Sequence, residues 1–190
     1  IGYSVRILIF KTAATGLWNK QEELLSEKQP WMLELAWILY EKDTVLNEFS
    51  SIINVPQHVR FNEQAVKVNG ITRELSDQGR PAKEVITKFK EVFLQADLWA
   101  VYTSFDYDLI LRECRLNDID DTFFFAGKKW LNIIETVSEY VNIPNDWGKP
   151  KFLSMKDAWK HLTGEDWGVS TSLETVRNFK VMLDMIGLDL

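Results

Sequence analysis

Lys11 and Ala13 stand just past a short apolar, β-branched-rich run, Val5 to Phe10. A run of that kind predicts a strand buried on both faces. Thr12, Thr15 and Gly16 end it with turn chemistry. The two residues are two apart at the strand end, so their side chains share a face. Open α/β sheets bind ligands beyond such strand ends. A lysine there brings an ammonium that can pair with an acid, and an alanine brings no reactive group. Other reactive side chains are sparse. His58 follows Pro56 in a loop and His161 precedes Gly164 on a helix, and both are expected at the surface or the core edge. The one cysteine, Cys114, excludes an internal disulfide and fits a reducing, cytoplasmic setting.

Composition narrows the classes further. A chain of 190 residues, 46% hydrophobic and 26% charged, reads as one globular domain over residues 1–190. No apolar run approaches the roughly 20 residues of a membrane span, and no signal-peptide pattern opens the chain. The net charge of −6 is uneven: residues 1–95 carry 12 basic and 12 acidic side chains, and residues 96–190 carry 10 and 16. Such a field does not draw phosphate backbones. Nucleic-acid binding would need local patches, for which the candidates are Lys128-Lys129 and Lys149, Lys151, Lys156 and Lys160; the simpler reading is solvated surface. Among eight tryptophans, Trp37 and Trp99 lie inside strand patterns, and Trp18 is the best placed to stack on a base.

The positioning elements follow from periodicity and punctuation. Trp31 to Tyr40 is a long apolar strand, and Val45 to Ile53 returns from a turn at Asp43. Asn62 caps a short helix closed by Asn69-Gly70. Pro81 opens a helix whose stripe is Val85, Ile86, Phe89, Val92 and Phe93. Leu98 to Tyr102 is the fourth strand, and a helix with Leu109 and Leu111 facing the core starts near Ser104. The fifth strand is either Phe123–Phe125 or Trp130-Leu131. Helices are expected over Ile133–Val141, over Met155–Leu162 after Ser154, and from near Thr171 to Ile186.

Read together, VRILIFKTAATGL, VYTSFDYDLIL and STSLET resemble three ordered motifs of the DEDD-type 3′–5′ exonucleases, the superfamily of polymerase proofreading subunits and RNase T. The resemblance covers nearly the whole chain. In that family the first motif carries Asp and Glu where this chain has Lys11 and Ala13. The second carries the acid matched by Asp106, preceded by the apolar anchor Phe105. The last carries a histidine base and a further Asp, matched here by Ser170 and Thr175.

The resemblance implies an α/β, RNase H-like fold: a five-stranded mixed sheet in the order 3-2-1-4-5 with strand 2 antiparallel, flanked by helices. It also implies that catalysis is lost. The family holds two divalent metals with four carboxylates, and a base deprotonates the attacking water. Here Asp106 is the only retained ligand, and no metal is expected unless Mg or Mn is held by recruited acids. Asp108 and Glu174 are the nearest such acids, and both point off the required faces. Lys11 is placed to pair with Asp106 instead. Thr15, Gly16, Leu17, Asn69, Ile71 and Phe105 match positions that approach a nucleotide in relatives, or else form well-packed turns. The expected role is a catalytically inactive module bound to a protein partner or larger complex. The alternatives are metal-independent binding of single-stranded nucleic acid in the relic cleft, or weak exonuclease activity.

Overall fold

β1 (Arg6–Ala14) runs through the middle of a six-stranded sheet in the computed structural model, which describes residues 4–125 and 127–188. The other strands are β2 (Met32–Glu41), β3 (Thr44–Asn54), β4 (Arg80–Pro81), β5 (Leu98–Val101) and β6 (Lys129–Asn132). The helices are α1 (Glu63–Asn69), α2 (Arg73–Asp77), α3 (Ala82–Gln95), α4 (Ser104–Leu116), α5 (Ile133–Val141), α6 (Met155–Thr163) and α7 (Ser172–Ile186). The strand order is β4-β3-β2-β1-β5-β6, and β2 alone runs against its neighbours. The expected order of five is therefore present, extended by one short edge strand. β4 is two residues long, too short to carry a periodicity, and Pro81 is tolerated there because an edge strand needs no inward N–H.

Leu8, Ile9 and Phe10 are fully buried, and alternation splits them between two cores. Leu8 and Phe10 meet Phe89, Phe93 and Trp99 under α3 and α4. Ile7 and Ile9 meet Ile133, Val176 and Phe179 under α5 and α7. Trp37 and Trp99 are core residues, as their strand patterns imply. The fifth strand proves to be Lys129–Asn132, while Thr122–Phe125 is a turn of 3₁₀ helix.

Gly79 lets β4 approach β3. A Cβ there would sit 2.7 Å from Ile53 C and 2.8 Å from both Asn54 N and Ile52 O, all of them backbone atoms. Gly79→Ala must push the strands apart, and urea denaturation should show a loss of about 2 kcal/mol. Parent-like stability would mean that this close approach is not needed.

Candidate functional site

β1 outruns its parallel neighbour. Its pairing with β5 ends at Ile9 opposite Ala100, yet β1 continues to Ala14. Backbone donors beyond that point need other acceptors. Asp106 supplies one: its Oδ1 accepts from the Thr12 N–H at 2.8 Å and from the Thr12 hydroxyl at 2.7 Å. Asp106 is the third residue of α4, where the positive helix end favours a carboxylate. It is only 1% exposed. Lys11 Nζ lies 3.3 Å from the same Oδ1 and also donates to the Thr12 carbonyl at 2.8 Å. Lys11 thus turns towards Asp106 and away from solvent. Phe105 beside it is half-buried. On the same helix Leu109 and Ile110 enter the core while Leu111 is only half-buried, so the inward stripe lies one position from the one expected.

The last motif lies at the start of α7. Thr171 caps the helix in a capping box with Glu174, whose carboxylate accepts from the Thr171 hydroxyl at 2.8 Å. Those bonds hold the Glu174 carboxyl below its ordinary range and commit it to the helix end. Thr175 is buried, and its hydroxyl donates back to the Thr171 carbonyl at 2.9 Å. Ser170 is exposed, outside the helix.

Glu34, which the motifs do not mark, is the cross-strand partner of Ala13 and accepts from the Ser172 N–H at 3.3 Å. It ties β2 to the α7 N-terminus. Its signal in the sequence is that it is the only charged residue within the apolar run Trp31 to Tyr40.

Thr15, Gly16 and Leu17 line a cleft of about 510 Å³ together with Gln29, Trp31 and Arg60. Thr15 is fixed on both sides: its N–H donates to the Trp31 carbonyl, its hydroxyl accepts from the Trp31 N–H, and its carbonyl accepts from Asn62. Leu17 is 91% exposed. The Asn69 amide donates to the Ala14 carbonyl at 3.0 Å, and its oxygen accepts from the Ile71 N–H at 2.9 Å. Ile71 is buried against Leu33, Val55 and Val59, so its side chain is part of the packing. His58 is exposed and lines the same cleft; His161 is exposed on α6. Trp18 is half-buried. Burial raises the Cys114 thiol to about 12, which leaves it unreactive.

A site built at the end of a central strand, on a mixed sheet flanked by helices, defines a domain of the RNase H-like exonuclease class. The chain belongs to the Exonuclease family, whose model (RNase_T) matches residues 14–123, more than half of the sequence. That match begins just after Lys11 and Ala13. Comparison with curated proteins finds no match. Among solved structures, the fold is similar to E. coli Exonuclease I in complex with a 5cy-dA13 oligonucleotide, at 14% identity and a TM-score of 0.72. That alignment covers 96% of this chain and 40% of the other, so the chain spans less than half of that exonuclease. It is also similar to the nuclease domain of 3'hExo, a DEDDh family member bound to rAMP, at 16% identity and a TM-score of 0.70, covering 99% and 96%. Exonuclease I from Methylocaldum szegediense aligns at 15% identity and a TM-score of 0.71, over 94% of this chain and 40% of that one.

The divalent metals that the resemblance implies do not fit the residues present. The Asp106 carboxylate already serves two Thr12 donors, and an ammonium stands beside it. A dication in the same place would meet that positive charge at close range. Among the described residues, no group of three or more His, Cys, Asp and Glu side chains is gathered as a metal site. No helix among them is long and apolar enough to cross a membrane.

Proposed function

We propose that this chain is one exonuclease-like domain in which hydrolysis is lost and which acts as a protein-interaction or assembly module. The observation that carries the reading is the Lys11–Asp106 contact of 3.3 Å. An ion pair there uses the strand-end carboxylate to hold the fold, through Thr12 and Lys11, in place of a cation. The surface supports the second half of the reading. Leu17 and Val68 are 91% and 85% exposed. They lie on neighbouring segments, joined by the bonds from Asn62 to Thr15 and from Asn69 to Ala14. Two such apolar side chains in water on adjoining segments suit a protein contact. The cleft behind them mixes Glu27 with Lys28 and Arg60 and forms no basic stripe.

The test is a short end-labelled single strand incubated with Mg²⁺ or Mn²⁺ at low salt. The strand is expected to keep its full length. Metal-dependent shortening that disappears in Asp106→Ala would overturn the reading, because it would mean that other acids hold the metals.

A further inference from the structure

Trp147 is 83% exposed at the tip of an ordered hairpin, with Tyr140 at 56% and Phe152 at 64% on the two sides of it in the chain. The hairpin is built from the backbone outward. The Lys151 N–H donates to the Ile143 carbonyl at 2.7 Å and the Asn145 N–H to the Lys149 carbonyl at 2.8 Å. Pro144 and Pro150 face each other across it. The turn is Asp146-Trp147-Gly148, with Gly148 at φ +74°, the left-handed position that a three-residue hairpin loop requires. The Asn145 side-chain oxygen accepts from the Trp147 N–H at 2.9 Å and from the Lys149 N–H at 3.0 Å. The chain therefore holds a large indole in water, on a backbone fixed by these bonds. Core packing accounts for none of that exposure.

Charge gives the surface a direction. Residues 146–160 contain Lys149, Lys151, Lys156 and Lys160 against two acids, Asp146 and Asp157, in the half of the chain that carries the whole acidic excess. Lys149, Lys151 and Lys156 are exposed, and Lys160 pairs with Asp166 at 3.1 Å. Lys149 and Lys151 are two apart on one hairpin strand and share a face. In the other lysine pair, Lys128 turns inward and donates to the Phe93 and Ala96 carbonyls, both at 2.6 Å, at the end of α3, which leaves Lys129 as its one exposed ammonium.

We propose that this hairpin binds single-stranded nucleic acid outside the cleft, with Trp147 stacked on a base and Lys149 and Lys151 on neighbouring phosphates. An unpaired strand offers π faces and negative charges in alternation, which is the pattern that an exposed aromatic among lysines matches. A protein seated on Trp147 and Phe152 would have to strip water from the lysines between them. A duplex keeps its bases stacked and offers Trp147 no face. The inference goes beyond the proposed loss of hydrolysis and does not depend on it.

The experiment is fluorescence anisotropy of short labelled DNA and RNA single strands, and of an abasic strand with the same number of phosphates, without divalent metal and over a salt series. Trp147→Ala should weaken binding of the base-bearing strands about tenfold and leave the abasic strand unaffected. Lys149→Glu with Lys151→Glu should weaken all three and lower the slope of log affinity against log salt by more than about 1. An unchanged thermal midpoint will show that these surface variants fold. Loss with either sugar supports the proposal, and the tighter of the two names the polymer. The proposal falls if the parent binds no strand, if Trp147→Ala binds like the parent, or if Leu17→Ala and Arg60→Ala weaken binding while the hairpin variants do not. Metal-dependent shortening would count against the proposed loss of hydrolysis alone, because the hairpin stands or falls on these metal-free affinities.

Discussion

Asp106→Ala should lower stability by about 3 kcal/mol, the cost of leaving buried donors without their acceptor. The carboxylate oxygen that it removes takes the Thr12 N–H, the Thr12 hydroxyl and the Lys11 ammonium. Thr12 is 2% exposed, so water does not readily replace the lost acceptor. The Lys11 side chain is 21% exposed and can swing outward, which limits its share of the loss. Asp106→Asn keeps one oxygen for Thr12 and should cost roughly half as much. Urea denaturation of the three proteins near neutral pH reads the series. The outcome against this account is an Asp106→Ala protein as stable as the parent or more so. A carboxylate kept for a ligand is held at some cost to the fold, and its removal relieves that cost; a carboxylate kept for Thr12 and Lys11 behaves in the opposite way.

The sequence revealed the skeleton of this site more readily than its bonds. The apolar run of β1, the turn at Thr15-Gly16, the Asn62 and Ser154 caps and the stripe of α3 are local patterns, and the elements formed where those patterns lie. The Exonuclease family was legible from motif order, and its model matches residues 14–123, which include the second motif around Asp106. What stayed hidden is non-local. Glu34 reaches the α7 N-terminus 138 residues away, and only the β1–β2 register sets it opposite Ala13. β4 depends on two residues finding an open edge beside Gly79. Trp18 follows the Thr-Gly-Leu turn yet is half-buried, whereas Trp147 is exposed because the Asn145 turn lifts it. The buried charges of α4 were the least visible. Charged side chains are ordinarily solvated, but both Arg112 and Glu113 are 1% exposed, and the segment from Ser26 to Trp31 folds over Arg112.

Glu113→Gln should remove a pH dependence worth roughly 3 kcal/mol between about pH 4.5 and 8. Burial is the main influence on this carboxyl and raises it from the ordinary 4.5 to about 7, against opposing effects of Arg112, the Met32 N–H and Asn117. The Arg112 guanidinium is directed elsewhere: it donates to the Ser26 and Pro30 carbonyls and lies 4.7 Å from the centre of the Trp31 ring. Glu113 therefore binds its proton more tightly folded than unfolded. Its contribution is fully present below the unfolded value and is lost as pH rises through the folded one, so it opposes folding above about pH 7. The carboxyls held low by hydrogen bonds, Glu22, Glu48, Asp120 and Glu174, act in the other sense and at lower pH. A glutamine keeps an oxygen for Met32 and Asn117 and cannot ionise, so whatever it costs in packing is the same at every pH. The quantity to measure is the stability difference between Glu113→Gln and the parent at pH 5 and again at pH 8, by urea denaturation. That difference should move in favour of the variant by roughly 2–3 kcal/mol across the interval, and an unchanged difference would refute a neutral Glu113 at low pH. Asp106 and Glu113 are seven residues apart on one face of α4; the first accepts from the Thr12 N–H of β1, and the second is influenced by the Met32 N–H of β2. If both predictions hold, the acids of this helix serve the ends of the two central strands, in opposite senses: Asp106 as an acceptor that the fold depends on, Glu113 as a carboxyl that the fold keeps protonated.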